Sequence, residues 1–136
     1  SKLANLLFAY ELQRKFAAAG VNAISVGAHP GYAATNLQSG DESFIERMAM
    51  ALGNRLIAQS AATGALPILY AATAIDVRGC DYIGPTGFQG MRGVPGKMRS
   101  NAESYHAEIA AKLWNVSSKL TGVAYHALQG QELSAM

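Results

Sequence analysis

Two clusters of residues in this chain carry groups suited to chemistry. Lys2, within Ser1-Lys2-Leu3-Ala4-Asn5, places an ammonium at the start of a stretch with helical apolar spacing. An ammonium held beside a phenol, whose ordinary pKa is about 10, favours the phenolate and brings it towards the range useful for proton transfer at neutral pH. The second cluster is Pro30-Gly31-Tyr32-Ala33-Ala34-Thr35. Gly31 permits close approach of backbone to a ligand, Pro30 stiffens the turn, and the Thr35 hydroxyl can both donate and accept hydrogen bonds. His29, directly before the turn, invites a general-base reading because imidazole titrates near neutrality.

Other chemistries lack their residues. A Walker loop would need Gly five residues before Gly96-Lys97 and Ser or Thr after it, and Met91 and Met98 stand there. Neither a Gly-x-Ser-x-Gly elbow nor a His-Glu-x-x-His pair occurs. Cys80 is the only cysteine, so no intrachain disulfide is possible, and no metal-ligand cluster surrounds it. His106 and His126, in or beyond the last predicted helix, are not read as metal ligands. Asn115-Val116-Ser117 satisfies the glycosylation pattern, but it falls within a predicted helix.

The elements that must position the two clusters follow from periodicity. Leu3, Leu6, Leu7, Tyr10 and Phe16 predict a helix over 1–19 that stops at Gly20. Residues 22–28 read as a short buried strand that ends at His29-Pro30-Gly31. A helical pattern over 41–56 puts Phe44, Ile45, Met48 and Leu52 on one face. An Ala-rich pattern over 59–75 predicts another helix, in which Pro67 either introduces a kink or moves the start. Residues 81–84 predict a strand, so that strand, helices and strand make a crossover unit with right-handed parallel pairing. Gly84, Gly87, Gly90, Gly93 and Gly96 recur at every third position, and the segment is read as a surface loop, since a few such triplets in a globular sequence cannot sustain a collagen assembly. A last helix over 101–120, with Tyr105, Ile109, Leu113 and Trp114 apolar, stops at Gly122.

Composition bounds the function. With 136 residues, half of them hydrophobic, and a mean hydropathy of +0.09, the chain has the length of one domain and enough apolar surface for a core. Eleven basic and nine acidic residues leave a scattered net charge of +2, which argues against a nucleic-acid partner. No apolar run reaches the roughly 18 residues of a membrane span. The lone cysteine fits a reducing compartment, and a cytoplasmic location is the expectation.

Ser1-Lys2-Leu3-Ala4-Asn5, followed by a strand and then by Pro30-Gly31-x-x-x-Thr35, resembles the short-chain dehydrogenase/reductase family. Within that family the match is to the retinol-dehydrogenase and protochlorophyllide-reductase-like branch, whose signature reads Tyr-x-x-Ser-Lys-Leu-Ala-Asn. The run Leu113-Trp114-x-x-Ser117 and Leu120-Thr121-Gly122-Val123 also looks like that branch's carboxyl-terminal tail. The resemblance implies an α/β fold: the carboxyl-terminal part of a Rossmann-type, doubly wound parallel sheet, keeping about two of its strands. Residues 1–19 would be the catalytic helix, 22–40 the strand and cofactor loop, 41–57 the substrate lid, and 59–136 the last crossover helix, strand and terminal helix.

The same resemblance implies hydride transfer between NADP or NAD and a hydrophobic carbonyl or alcohol. Lys2 would lower the pKa of a Tyr three residues before Ser1 and bond the ribose hydroxyls. Pro30, Gly31, Tyr32 and Thr35 would embrace the nicotinamide, and Phe44, Ile45 and Met48 would line the substrate pocket. His29 is ordinary at its place in this branch and is assigned to structure or pocket lining. The helix opened by Lys2 would form half of a four-helix dimer contact, which implies a homo-oligomer. The chain is read as truncated and as inactive by itself. An alternative stays open: a non-catalytic truncated pseudoenzyme or oligomerisation module.

Overall fold

Apolar side chains at helical spacing among good helix formers produce α1 over Lys2–Ala18, in the computed structural model that describes residues 2–31, 60–87 and 90–128 of the chain. Its end is fixed by Gly20, whose φ of 64° lies in the left-handed region. There Val21 N–H donates to the Phe16 carbonyl at 2.9 Å and Gly20 N–H to the Ala17 carbonyl at 3.3 Å. This pair of bonds is a Schellman motif, and it satisfies two carbonyls that the helix leaves open. Lys2, Tyr32, Thr35, Phe44, Ile45 and Met48 therefore divide at once: Lys2 is on α1, and the other five lie outside the described residues.

The chain separates into two compact units, one of Ser1–Gly27, Asp76–Tyr82 and Arg99–Met136, the other of Ala28–Ile75 and Ile83–Met98. In the second unit, α2 spans Ala61–Thr73, and the Ser60 hydroxyl caps it by accepting the Thr63 N–H at 3.1 Å. Pro67 stays inside the helix, with its ring buried.

The sheet contains β1 (Gly27–Ala28), β2 (Tyr82–Pro85) and β3 (Pro95–Met98), in the order β1-β2-β3. Gly27 N–H donates to the Asp81 carbonyl and His29 N–H to the Ile83 carbonyl, each at 2.9 Å. Both partners advance by two residues, so β1 and β2 run parallel as the crossover reading expected. Between β2 and β3 the pairing is antiparallel: Gly84 lies against Met98 and Thr86 against Gly96.

Three expectations need correction here. The predicted strand over 22–28 shrinks to Gly27–Ala28. The glycine-repeat segment is bracketed by strand at both ends, because β2 runs to Pro85 and β3 begins at Pro95. Its glycines let the connection close on itself, since a Cβ on Gly93 would stand 2.7 Å from the Gly87 nitrogen. Among the described residues the sheet consequently has three strands rather than two. This mixed α/β arrangement is compatible with a Rossmann-like fragment, and the described residues carry one parallel and one antiparallel pair.

In the first unit α1 packs on α3, which spans Ala107–Thr121 and ends at Gly122 with φ 71°. The single helix expected over 101–120 is interrupted. Asn101 accepts the Glu103 N–H at 3.0 Å through its side chain and starts a short 3-10 turn over Ala102–Tyr105, and His106 is extended before α3 begins. Local side-chain bonds of this kind compete with continuous helix. The buried face of α3 is Ala110 and Trp114, one turn apart, whereas Ile109 is 53% exposed.

Trp114 is the centre of this packing. Phe8 stacks on it at 4.8 Å between centroids, Tyr125 tilts against it at 5.2 Å, and Lys15 Nζ stands 5.0 Å from its ring centroid. Lys15 Nζ also lies 3.7 Å from Oε1 of the buried Glu11, whose Oε2 accepts Arg14 Nε–H at 2.7 Å. Arg14 Nη2 is equally close to Oε2 but makes no hydrogen bond, so its contribution is Coulombic. Two cations thus hold one buried carboxylate, and removing them would strand its charge.

Trp114→Ala removes the stack, the cation contact and the largest apolar group of this core together. The expected loss is about 3–5 kcal/mol of unfolding free energy, read by urea denaturation followed through circular dichroism.

Candidate functional site

The carboxyl ends of parallel strands are where open α/β sheets bind ligands. β1 delivers its chain to that position as His29-Pro30-Gly31, and β2 delivers Thr86-Gly87. Pro30 is exposed, and Gly31 sits at φ 72°, a conformation that an L side chain rarely adopts. The Thr86 hydroxyl donates to the Val94 carbonyl at 3.1 Å, tying down the exit from β2.

His29 organises the turn. Its Nδ1 accepts the Gly31 N–H at 3.2 Å, which leaves the ring proton on Nε2. Nε2 lies 3.2 Å from Met98 Sδ and donates to it. A Cβ on Gly84 would overlap the ring at Nε2, so glycine on β2 provides the slot in which the imidazole lies. Burial lowers the pKa of His29 below its ordinary 6.5. A neutral ring with one accepting and one donating nitrogen is thus favoured by both hydrogen bonding and desolvation. A general base would keep its basic nitrogen open to substrate, and here that nitrogen is turned onto the protein's own backbone.

Of the residues expected from sequence to form the site, Pro30 and Gly31 stand together at the end of β1. Lys2 is exposed on the first turn of α1, in the first unit. Tyr32, Thr35, Phe44, Ile45 and Met48 lie outside the described residues.

The first unit contains a hydroxyl network that sequence reasoning did not find. Tyr10 Oη meets Ser100 Oγ at 2.8 Å, Ser100 Oγ meets Ser104 Oγ at 2.7 Å, and Ser104 Oγ donates to the Asn101 carbonyl at 2.6 Å. Ser100 N–H donates to Tyr105 Oη at 3.1 Å, and the rings of Tyr10 and Tyr105 stack at 5.3 Å. Burial pushes the Tyr10 phenol up to about 12, while the bonds from Ser100 draw Tyr105 down. Tyr105 therefore ionises before Tyr10. The only sequence signal was two tyrosines far apart in the chain and a Ser-Asn-x-x-Ser stretch, which do not indicate proximity.

Cys80 adopts a φ of 66° in the turn before β2, and burial raises its thiol pKa, the opposite of what a nucleophilic cysteine needs. Among the described residues no group of three His, Cys, Asp or Glu is placed to hold a metal ion, and no helix is long and apolar enough to cross a membrane.

Comparison with known proteins adds a family context. No family model matches the chain. The chain is 33% identical over 118 residues to a short chain dehydrogenase/reductase, dpmpH, of Macrophomina phaseolina (strain MS6), a match that covers 86% of this chain and 55% of that protein. A crystal structure of an uncharacterised protein from Mycobacterium paratuberculosis is similar to it with a TM-score of 0.67 and 36% identity, over 92% of this chain and 38% of that one. The chain thus spans about half the length of the curated relative it matches. This similarity supports the short-chain dehydrogenase/reductase family without selecting a branch of it.

The depressed His29 pKa has a thermodynamic consequence. The unfolded chain binds a proton at this imidazole more readily than the folded one, so the contribution to stability is complete above the unfolded value of 6.5 and is lost as pH falls through the lower folded value. An NMR titration of the His29 ring should give a midpoint below 6.5, and His29→Phe should flatten the fall in stability over that acidic window.

Proposed function

We propose that this chain contributes to hydride transfer between a nicotinamide dinucleotide and a carbonyl or alcohol, as part of a short-chain dehydrogenase/reductase. The observation that supports this reading most directly is the placement of Pro30 and Gly31 at the carboxyl end of a strand in parallel pairing. Gly31, with no side chain and a φ of 72°, suits a surface on which a flat ring lies against backbone. The dinucleotide, when bound, supplies the hydride donor or acceptor.

In this reading Pro30 and Gly31 form the wall beside the nicotinamide, and Tyr32 and Thr35 extend that wall, with the Thr35 hydroxyl as a hydrogen-bonding group. Lys2 bonds ribose hydroxyls through its ammonium and lowers the pKa of a phenol one helical turn before it, on the same helix face. Phe44, Ile45 and Met48 offer an apolar wall for a hydrophobic substrate. NADP is the proposed dinucleotide, and a homo-oligomer built through α1 is the proposed assembly.

Fluorescence titration of the chain with NADPH and NADH tests the reading. Saturable binding is expected, weakened about 10- to 100-fold in Lys2→Ala, the loss that follows from removing a hydrogen bond to a charged group. Absence of saturation with either dinucleotide would sink this reading and favour a non-catalytic module.

A further inference from the structure

The imidazole of His29 makes three contacts, all within the second unit. Its Nδ1 closes the Pro30–Gly31 turn by accepting the N–H two residues on, at 3.2 Å. This is the geometry that Asn and Asp side chains supply in an Asx turn, here built with a ring. Its Nε2–H reaches Met98 Sδ on β3 at 3.2 Å, and Gly84 on β2 leaves the space that the ring fills. A side chain needed only to fill space beside the turn would not require a matched acceptor, donor and slot.

Pro30 has a fixed φ and no N–H to donate. Gly31 has the widest conformational range of any residue. The bond from Gly31 N–H to His29 Nδ1 restrains the one residue whose freedom would otherwise have to be lost when a ligand settles on the turn.

We propose that His29 is a positioning residue for the dinucleotide: its ring clasps the Pro30–Gly31 turn to β3 and presets the backbone wall on which the nicotinamide half lies. The proposal rests on the function proposed above. His29 touches neither the reacting atoms nor the dinucleotide and acts through Gly31. The other titratable side chains on the flanking strands are Tyr82 on β2 and Lys97 on β3.

Two substitutions separate the clasp from simple bulk. His29→Phe keeps a ring and removes both polar contacts, whereas His29→Asn keeps an acceptor for the N–H two residues on. With NADPH as the probe, His29→Phe is expected to raise Kd about tenfold and His29→Asn to stay within about threefold of the parent chain. Equal Kd values for the parent and His29→Phe would overturn the proposal, as would His29→Asn binding as weakly as His29→Phe. A parent chain that binds no dinucleotide would refute the proposed function itself, and that arm is read before any variant is made. If His29→Phe fails to fold, the parent chain still decides the matter. The Gly31 amide resonance should shift along the same titration curve as the His29 ring, and a Gly31 amide indifferent to that titration would overturn the clasp.

Discussion

The candidate site depends on two backbone hydrogen bonds. Gly27 N–H to the Asp81 carbonyl and His29 N–H to the Ile83 carbonyl, both 2.9 Å, give a strand of two residues its parallel register. A slip by one residue would reverse every side chain across the sheet. His29 would then leave the slot above Gly84, lose Met98 and no longer reach the Gly31 N–H from the correct side. So short a strand cannot hold its register alone, and the imidazole is a further tie at its end.

The first unit is organised differently, around aromatic stacking and one buried charge. Trp114 takes Phe8 on its face, Tyr125 at its side and Lys15 over its ring. Lys15 then connects this apolar cluster to Glu11, which is 7% exposed and also holds Arg14. Glu11 is costly to bury and is retained where two cations from the next turn reach it. The Tyr10–Ser100–Ser104 chain meets the same requirement with neutral groups: each buried hydroxyl has a partner, as buried polar atoms demand.

Sequence periodicity was informative where structure is local. α1 and the end of α3 were legible because apolar spacing and a following glycine are near-neighbour signals, and Gly20 and Gly122 take the left-handed conformation that such a stop needs. The break at His106 was hidden because it depends on the Asn101 side chain bonding Glu103, a choice that apolar spacing does not record. β3 was missed because Pro95-Gly96-Lys97-Met98 has almost no intrinsic strand preference and gains its form from pairing with β2. The Pro30–Gly31 turn was legible as a motif, whereas the clasp on it was not, since Met98 lies 69 residues from His29.

In the proposed function a dinucleotide settles on the turn at the end of β1. Mapping of backbone amide shifts by NMR as NADPH is added tests this placement. The predicted result is that the largest shifts fall at Gly31 and at the exit of β2, Thr86 and Gly87. Saturating shifts confined to α1 and α3, with those amides unmoved, would contradict it.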